Sequence, residues 1–207
     1  MKADPLDGCA TVSKAEMRKQ SQRDRILAAA MRCFIKSGFH CANMAAIAEA
    51  ANMSPGLIYR YFENKNAIIL AIIRSQLMAS QCRIREMRNT DELSENITAY
   101  FEAREDEQAD SMSVPLFFEM SAEATRDPDV AKAISEADSA VRRELAEWFR
   151  RSPDEGGLGF APDEARERCL ALILLVDGVK TRKLREPKLD RACLKKAVDR
   201  IVAVVTG

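Results

Sequence analysis

Hydrophobic positions recur along this chain at intervals of three and four residues, long alternating β-branched runs are missing, and Gly and Pro stand mostly at segment edges. That pattern predicts helix almost throughout. A first helix is expected over 13–37, burying Ile26, Leu27, Ala30, Phe34 and Ile35, with Gly38 as its C-terminal stop. Asn43 is placed to cap a short helix over 43–50 that turns Met44, Ile47 and Ala48 inward. Ala51, Asn52 and Met53 then form a tight turn. Ser54 caps a third helix with Pro55 at its first position, where a missing N–H does no harm. A fourth, long helix follows over 64–88. Further helical segments are expected at about 91–108, 112–126, 128–151, 162–185 and 188–205, punctuated by Pro115, Pro128, Pro153, Pro162 and Pro187. The three glycines and Pro153 within 152–161 mark a loop, and residues 1–12 read as a disordered tail. The chain is therefore expected to be all-α, with about nine helices.

Two short capped helices joined by a three-residue turn describe a helix-turn-helix, whose second helix enters the major groove of DNA. The small residues Ala45, Ala46, Ala48, Ala50 and Ala51 let the two helices approach closely, and Asn52 stands where a left-handed backbone is commonly needed. Ile58 and Phe62 fall on one side of the third helix. Gly56, Tyr59, Arg60 and, less squarely, Leu57 point away from them.

Charge agrees with this assignment. The 207 residues carry 32 basic and 32 acidic side chains, yet residues 1–88 hold fourteen basic and seven acidic ones, and the rest of the chain is acidic by the same margin. A cationic first part on an acidic second part suits one end meeting a polyanion.

The segment RDRILAAAMRCFIKSGFHCANMAAIAEAANMSPGLIYRYFENKNAIILAII, residues 23–73, resembles the DNA-binding domain of the TetR family of transcriptional regulators. The landmarks are Ile26-Leu27, Ala29-Ala30, Phe34, Gly38-Phe39, Ile47-Ala48, Ala51, Ser54, Gly56, Tyr59, Phe62 and Lys65; Asn52 replaces the usual turn glycine and Asn43 the usual Ser or Thr cap. The resemblance implies a helix-turn-helix domain over 13–66 and a helical effector-binding and dimerisation domain over 67–207, joined by the long helix. It implies a repressor that binds a palindromic operator as a dimer and is released by a small-molecule effector. It also implies that Tyr59 and Lys65 clamp phosphate and that Tyr61 touches the backbone. Asn43 and Ser54 lie at helix N-termini, which favour an anion. Pro55, Gly56 and Leu57 match the groove-facing positions, and Arg60 is the one long cation beside them, for a guanine, a phosphate or an ion pair with Glu63.

The second half offers an apolar face on each of its last two helices: Ala165, Cys169, Leu172, Ile173 and Val176 on one, and Leu189, Leu194, Ala197, Val198, Ile201, Val202 and Val205 on the other. Two such helices per subunit would form a four-helix dimer bundle, or else pack into the subunit's own core. Phe101, Phe117, Phe118, Met120 and Trp148, with Phe149, Met78, Met87 and Met112, are candidates for an effector pocket, although each alone fits an ordinary core. The run 113–130 resembles the family's choline-responsive branch, and Glu119 and Glu123 could meet a cationic effector or solvent.

Other chemistry is poorly supplied. One histidine, no Gly-rich phosphate loop before a lysine, no H-E-x-x-H and no nucleophile elbow argue against an all-α enzyme. The spacing of Cys33, His40 and Cys41 fits no standard zinc pattern, and neither cofactor nor metal is expected. Redox sensing through these cysteines, or non-specific architectural DNA binding, are the remaining alternatives. With no C-x-x-C pair, no signal-like leader and a longest apolar run of only 169–176, the chain is expected to be cytoplasmic, with reduced thiols and no membrane partner.

Overall fold

The computed structural model describes residues 13–87, 89–102 and 113–207. The tail at 1–12, the end of the segment expected at 91–108, and Met112 lie outside the described residues. Among those described there are nine α-helices, one short 3-10 turn at Pro153–Glu155 and no strand.

Local chemistry sets most helix ends. Ser13 and Glu16 form a reciprocal capping box at the start of α1 (Lys14–Cys41). The dihedrals of α1 leave the helical region at Gly38 (φ 73°, ψ 162°), so the last residues of this element turn off its axis. Asn43 caps α2 (Met44–Ala50), Ser54 caps α3 (Pro55–Tyr61) and Asn64 caps α4 (Lys65–Glu86), each through its side-chain oxygen. Asn52, in the turn between α2 and α3, takes the left-handed conformation with φ 53°. Then follow α5 (Thr90–Glu102), α6 (Val114–Ala124), α7 (Pro128–Arg150), α8 (Pro162–Arg185) and α9 (Arg191–Thr206). The last helix starts later than its apolar pattern suggested, because Asp190 accepts from the N–H groups of Ala192 and Cys193 and so fixes the first turn there.

Two cores hold these helices. The first joins α1, α2, α3 and the first half of α4 to Leu116 and Met120 of α6 and Val130 of α7. The second joins the end of α4 to α5, the end of α7, α8 and α9, with Trp148 and Phe149 fully buried at its centre. α4 enters both. It is the one helix, among the described residues, long and apolar enough to suit a membrane, but Ile68, Ile69, Ile72, Ile73 and Ile84 are buried inside the protein.

Candidate nucleic-acid interface and effector cavity

The helix-turn-helix is assembled from its caps outward. Asn43 Oδ1 accepts from the Ala46 N–H (2.9 Å) and Ser54 Oγ from the Leu57 N–H (3.3 Å). Ile58 is fully buried and Phe62 nearly so, which fixes the roll of α3. Ser54, Pro55, Gly56, Tyr59 and Arg60 then face outward, beside Asn43, and Tyr59 is 55% exposed. Leu57 and Tyr61 are half-buried, and Tyr61 packs its ring against the core. Arg60 forms no ion pair with Glu63 or any other of the described residues. A Cβ added at Gly56 would meet nothing within 4 Å, so the fold itself makes no demand for glycine there.

Behind this face, cations close the helix ends, where terminal carbonyls lack intrahelical partners and the helix dipole is negative. Arg32 donates to Ala50 O at the end of α2 (3.2 Å) and Arg25 to Asn52 O in the turn (3.1 Å). Arg23 reaches Tyr61 O at the end of α3 (3.4 Å) while lying over the Phe62 ring. Lys65 donates to Phe39 O (2.7 Å) and Ala42 O (3.1 Å), across the break that Gly38 makes. Part of the positive charge of the first 88 residues thus holds the unit together. Sequence reasoning assigned Lys65 to phosphate alone, because its carbonyl partners exist only once α1 has turned at Gly38.

A cavity of about 390 Å³ opens between α4, α5, α6, α7 and α8. Its wall includes Ile73 and Gln76 of α4, Met87 just after it, Ile97 of α5, Phe117 and Met120 of α6, Val141 of α7, and Leu172 and Lys180 of α8. Of the aromatic residues expected to form a pocket, Phe117 is in this wall. Trp148 is not: it is fully buried in the second core, and its indole N–H donates to Gly156 O (3.0 Å). Phe101 is buried in the same core, and Phe118 lies outside the wall. Met87 lines the cavity, whereas Met78 is 70% exposed.

Between cavity and helix-turn-helix lies a polar joint built by α6 and the start of α7. Glu119 accepts from the Phe39 N–H (2.9 Å), and Asn66 donates to Asp127 (2.5 Å). Glu123 is buried, with Oε2 at 3.7 Å from His40 Nε2 and 3.5 Å from Arg126 Nη1. Arg126 in turn approaches His40 Nε2 at 2.7 Å. Both glutamates therefore face the DNA-binding unit rather than an effector. The sequence carried one usable signal, the spacing of four that sets Glu119 and Glu123 on one side of α6.

Comparison with known proteins gives this arrangement a family. The family model of bacterial regulatory proteins, tetR family, matches residues 26–72, and that of the BetI-type transcriptional repressor C-terminal region matches 89–207. The chain belongs to the TetR family. It is 31% identical over 148 residues to the HTH-type transcriptional regulator UidR of Escherichia coli K12, covering 70% of this chain and 71% of that protein. To the HTH-type transcriptional regulator BetI of Pseudomonas aeruginosa it is 26% identical over 162 residues, covering 76% and 79%. Among solved structures, Salmonella enterica GusR superposes with a TM-score of 0.73 at 24% identity, covering 94% of this chain and 98% of that one. FadR of Bacillus halodurans gives 0.66 at 20%, covering 87% and 94%. These structural likenesses concern the fold. As a member of the TetR family the protein is a DNA-binding transcriptional regulator and not an enzyme.

Within this TetR-family chain, the apolar face expected to pair two subunits is mostly turned inward. Cys169, Leu172, Leu194 and Val198 are buried in the chain's own second core, while Ile173 and Val176 line the cavity. Ala197 and Ile201 are exposed. So are Leu170, Leu174 and Leu184 of α8 and Val204 of α9, which the periodicity did not single out. Both faces of α8 carry leucine, so pattern alone could not choose between them.

Cys33, next to the TetR-type helix-turn-helix, is not activated. Burial raises the Cys33 thiol above its ordinary value, and its Sγ approaches Ala46 O. The Glu86 carboxylate beside Cys82 raises that thiol, and burial pushes Cys169 up to about 11. A redox sensor needs a thiolate at neutral pH, so Cys33 is a poor one. No cluster able to hold a metal occurs among the described residues.

Proposed function

We propose that the protein is a homodimeric repressor that binds a palindromic operator in the cytoplasm and is released by a small molecule entering the cavity between α4 and α8. The carrying observation is the outer face of α3, where Pro55, Gly56, Tyr59 and Arg60 are exposed without any role in the core and Gly56 leaves room above it. A Cβ-free edge lets backbone approach a base edge or phosphate closely. The Tyr59 hydroxyl suits phosphate oxygens, Pro55 and Leu57 suit thymine methyls, and Arg60 suits guanine or phosphate. The caps Asn43 and Ser54 retain N–H and O–H donors for the DNA backbone. Two of the three Lys65 N–H bonds are engaged internally and the ammonium lies 4.4 Å from the Phe39 ring centroid, so a phosphate would meet an ammonium already held in place.

One such unit reads only a few base pairs, so a symmetric pair is needed. The exposed leucines of α8 together with Ala197, Ile201 and Val204 of α9 support a self-complementary surface for it. The coupling runs through α4 and α6. α4 carries Lys65 at one end and Gln76 and Ile84 of the cavity wall farther along, and α6 has Phe117 and Met120 on the cavity with Glu119 and Glu123 on the DNA-binding unit. An effector that prefers the conformation with misplaced recognition helices lowers DNA affinity by its differential affinity for the two conformations.

The test is selection of bound fragments from genomic DNA, followed by affinity measurement against random competitor at several salt concentrations. The proposal expects a palindromic site, a two-to-one protein-to-site stoichiometry or a multiple of it, and affinity falling steeply with salt. Equal binding to random DNA would overturn it in favour of an architectural role.

A further inference from the structure

Resting on the reading of the cavity as the effector site, we propose that the effector is an uncharged, largely apolar molecule that presents one hydrogen-bond donor to the Gln76 amide oxygen, and is not a quaternary ammonium. The cavity wall is apolar over most of its extent, through Ile73, Ile84, Leu93, Ile97 and Leu172. Set in that wall, Gln76 is only 5% exposed, and its Oε1 is buried without any hydrogen-bond partner. A buried acceptor left unpaired carries the full desolvation penalty of the group, so a ligand N–H or O–H that meets this oxygen, once a turn of the side chain brings it to the cavity, gains more than it would in water.

The charged groups of the wall ask for no ionic ligand. Lys180 Nζ stands 3.3 Å from Asp177 Oδ1 and 4.1 Å from the Phe117 ring centroid. Asp138 pairs with Arg142 (3.1 Å), and Arg83 reaches Ser80 Oγ (3.3 Å). Two cations and two anions line the cavity, with no net charge to neutralise. A quaternary ammonium is recognised by several aromatic faces arranged as a cage. Here Phe117 is the one aromatic side chain in the wall among the described residues, and its face already carries the Lys180 ammonium. The acidic residues of 113–130, the run that resembles the choline-responsive branch, point elsewhere: Glu119 to Phe39, Glu123 toward His40 and Asp127 to Asn66. The acidic side chains of that run therefore serve the joint with the DNA-binding unit, while its Phe117, Met120 and Ser121 supply one uncharged side of the cavity wall.

The test uses two neutral probes with one ring system, indole and 1-methylindole, together with choline, titrated calorimetrically into the full-length protein. The extra methyl favours 1-methylindole wherever burial alone decides. The proposal expects the reverse, with indole at least about tenfold tighter, equivalent to about 1.4 kcal/mol. It also expects choline not to compete with indole, and Gln76→Met, checked for unchanged helicity, to return the preference to 1-methylindole. Equal or weaker binding of indole in the unaltered protein overturns the donor assignment, and displacement of indole by choline overturns the exclusion of quaternary ammonium. Ala137→Trp, which fills the cavity from α7, separates this failure from that of the site itself. If Ala137→Trp abolishes probe binding, the cavity stands as the site and only the ligand class is in question. Undiminished binding in that variant, or no binding of either probe to the unaltered protein, overturns the effector-site reading and the ligand class with it.

Discussion

Ile58 and Tyr59 are neighbours in sequence with opposite surroundings: one is fully buried, the other more than half exposed. On α3, stability and the proposed DNA contact are therefore carried by different residues. The cavity wall has no such division. Leu172 and Met120 are buried core residues and wall residues at once, so a change there alters packing and ligand space together. A surface that must fit DNA can change its outer residues freely; a site inside the core can change ligand only by repacking the protein.

The largest effects should fall on the shared core. Ile58→Ala should cost about 2–5 kcal/mol in chemical denaturation, whereas Tyr59→Ala should stay within about 0.5 kcal/mol and instead weaken operator binding by about tenfold or more. Leu172→Ala should cost about 2–5 kcal/mol as well, and it should also change probe affinity in the cavity. A Leu172→Ala protein that lost stability with unchanged probe binding would remove the contrast.

A middle-sized effect is expected at the joint. Glu119→Gln removes the charge from the hydrogen bond to the Phe39 N–H, and should cost about 1–2 kcal/mol with faster hydrogen exchange at that amide. Unchanged protection of Phe39 would show that α6 does not hold the DNA-binding unit. Asn43→Ala removes a cap and should cost about 1 kcal/mol, read as a lower denaturation midpoint.

The smallest effect concerns Glu144, which makes a two-pronged pair with Arg85 (2.6 and 3.0 Å) between α7 and α4. The Arg85 guanidinium holds its carboxyl below the usual range. A lowered folded-state value means that the pair stabilises above the ordinary carboxylate range and is lost as pH falls through that lowered value. Because Arg85 is largely exposed, Glu144→Gln should cost less than about 1 kcal/mol at neutral pH and nothing in strong acid. A cost independent of pH would contradict this assignment.

The helix-turn-helix was legible in the sequence because its determinants are local. The caps Asn43 and Ser54, Pro55 after the second cap, and Asn52 in the turn each act within three or four residues of where they stand. The cavity was not, since five helices contribute to it and no window of sequence contains them. Aromatic size suggested Trp148 as a pocket residue, but its polar N–H is satisfied by the Gly156 carbonyl in the 152–161 loop. The carbonyl partners of Lys65, the Phe39 N–H that Glu119 meets and the His40 ring that Glu123 faces were hidden for the same reason: they lie 23 or more residues away. The two-sided apolar character of α8 left its inward face undetermined until α7 and α9 were packed on it.

The most direct measurement joins operator affinity and stability in a single variant, Gly56→Ala. Its added methyl meets no atom of the protein and sits on the edge assigned to DNA. The expected result is a stability unchanged or raised by up to about 1 kcal/mol, with operator binding weakened about tenfold. Unchanged operator affinity at unchanged stability would contradict the assignment of the α3 outer face as the DNA-reading surface.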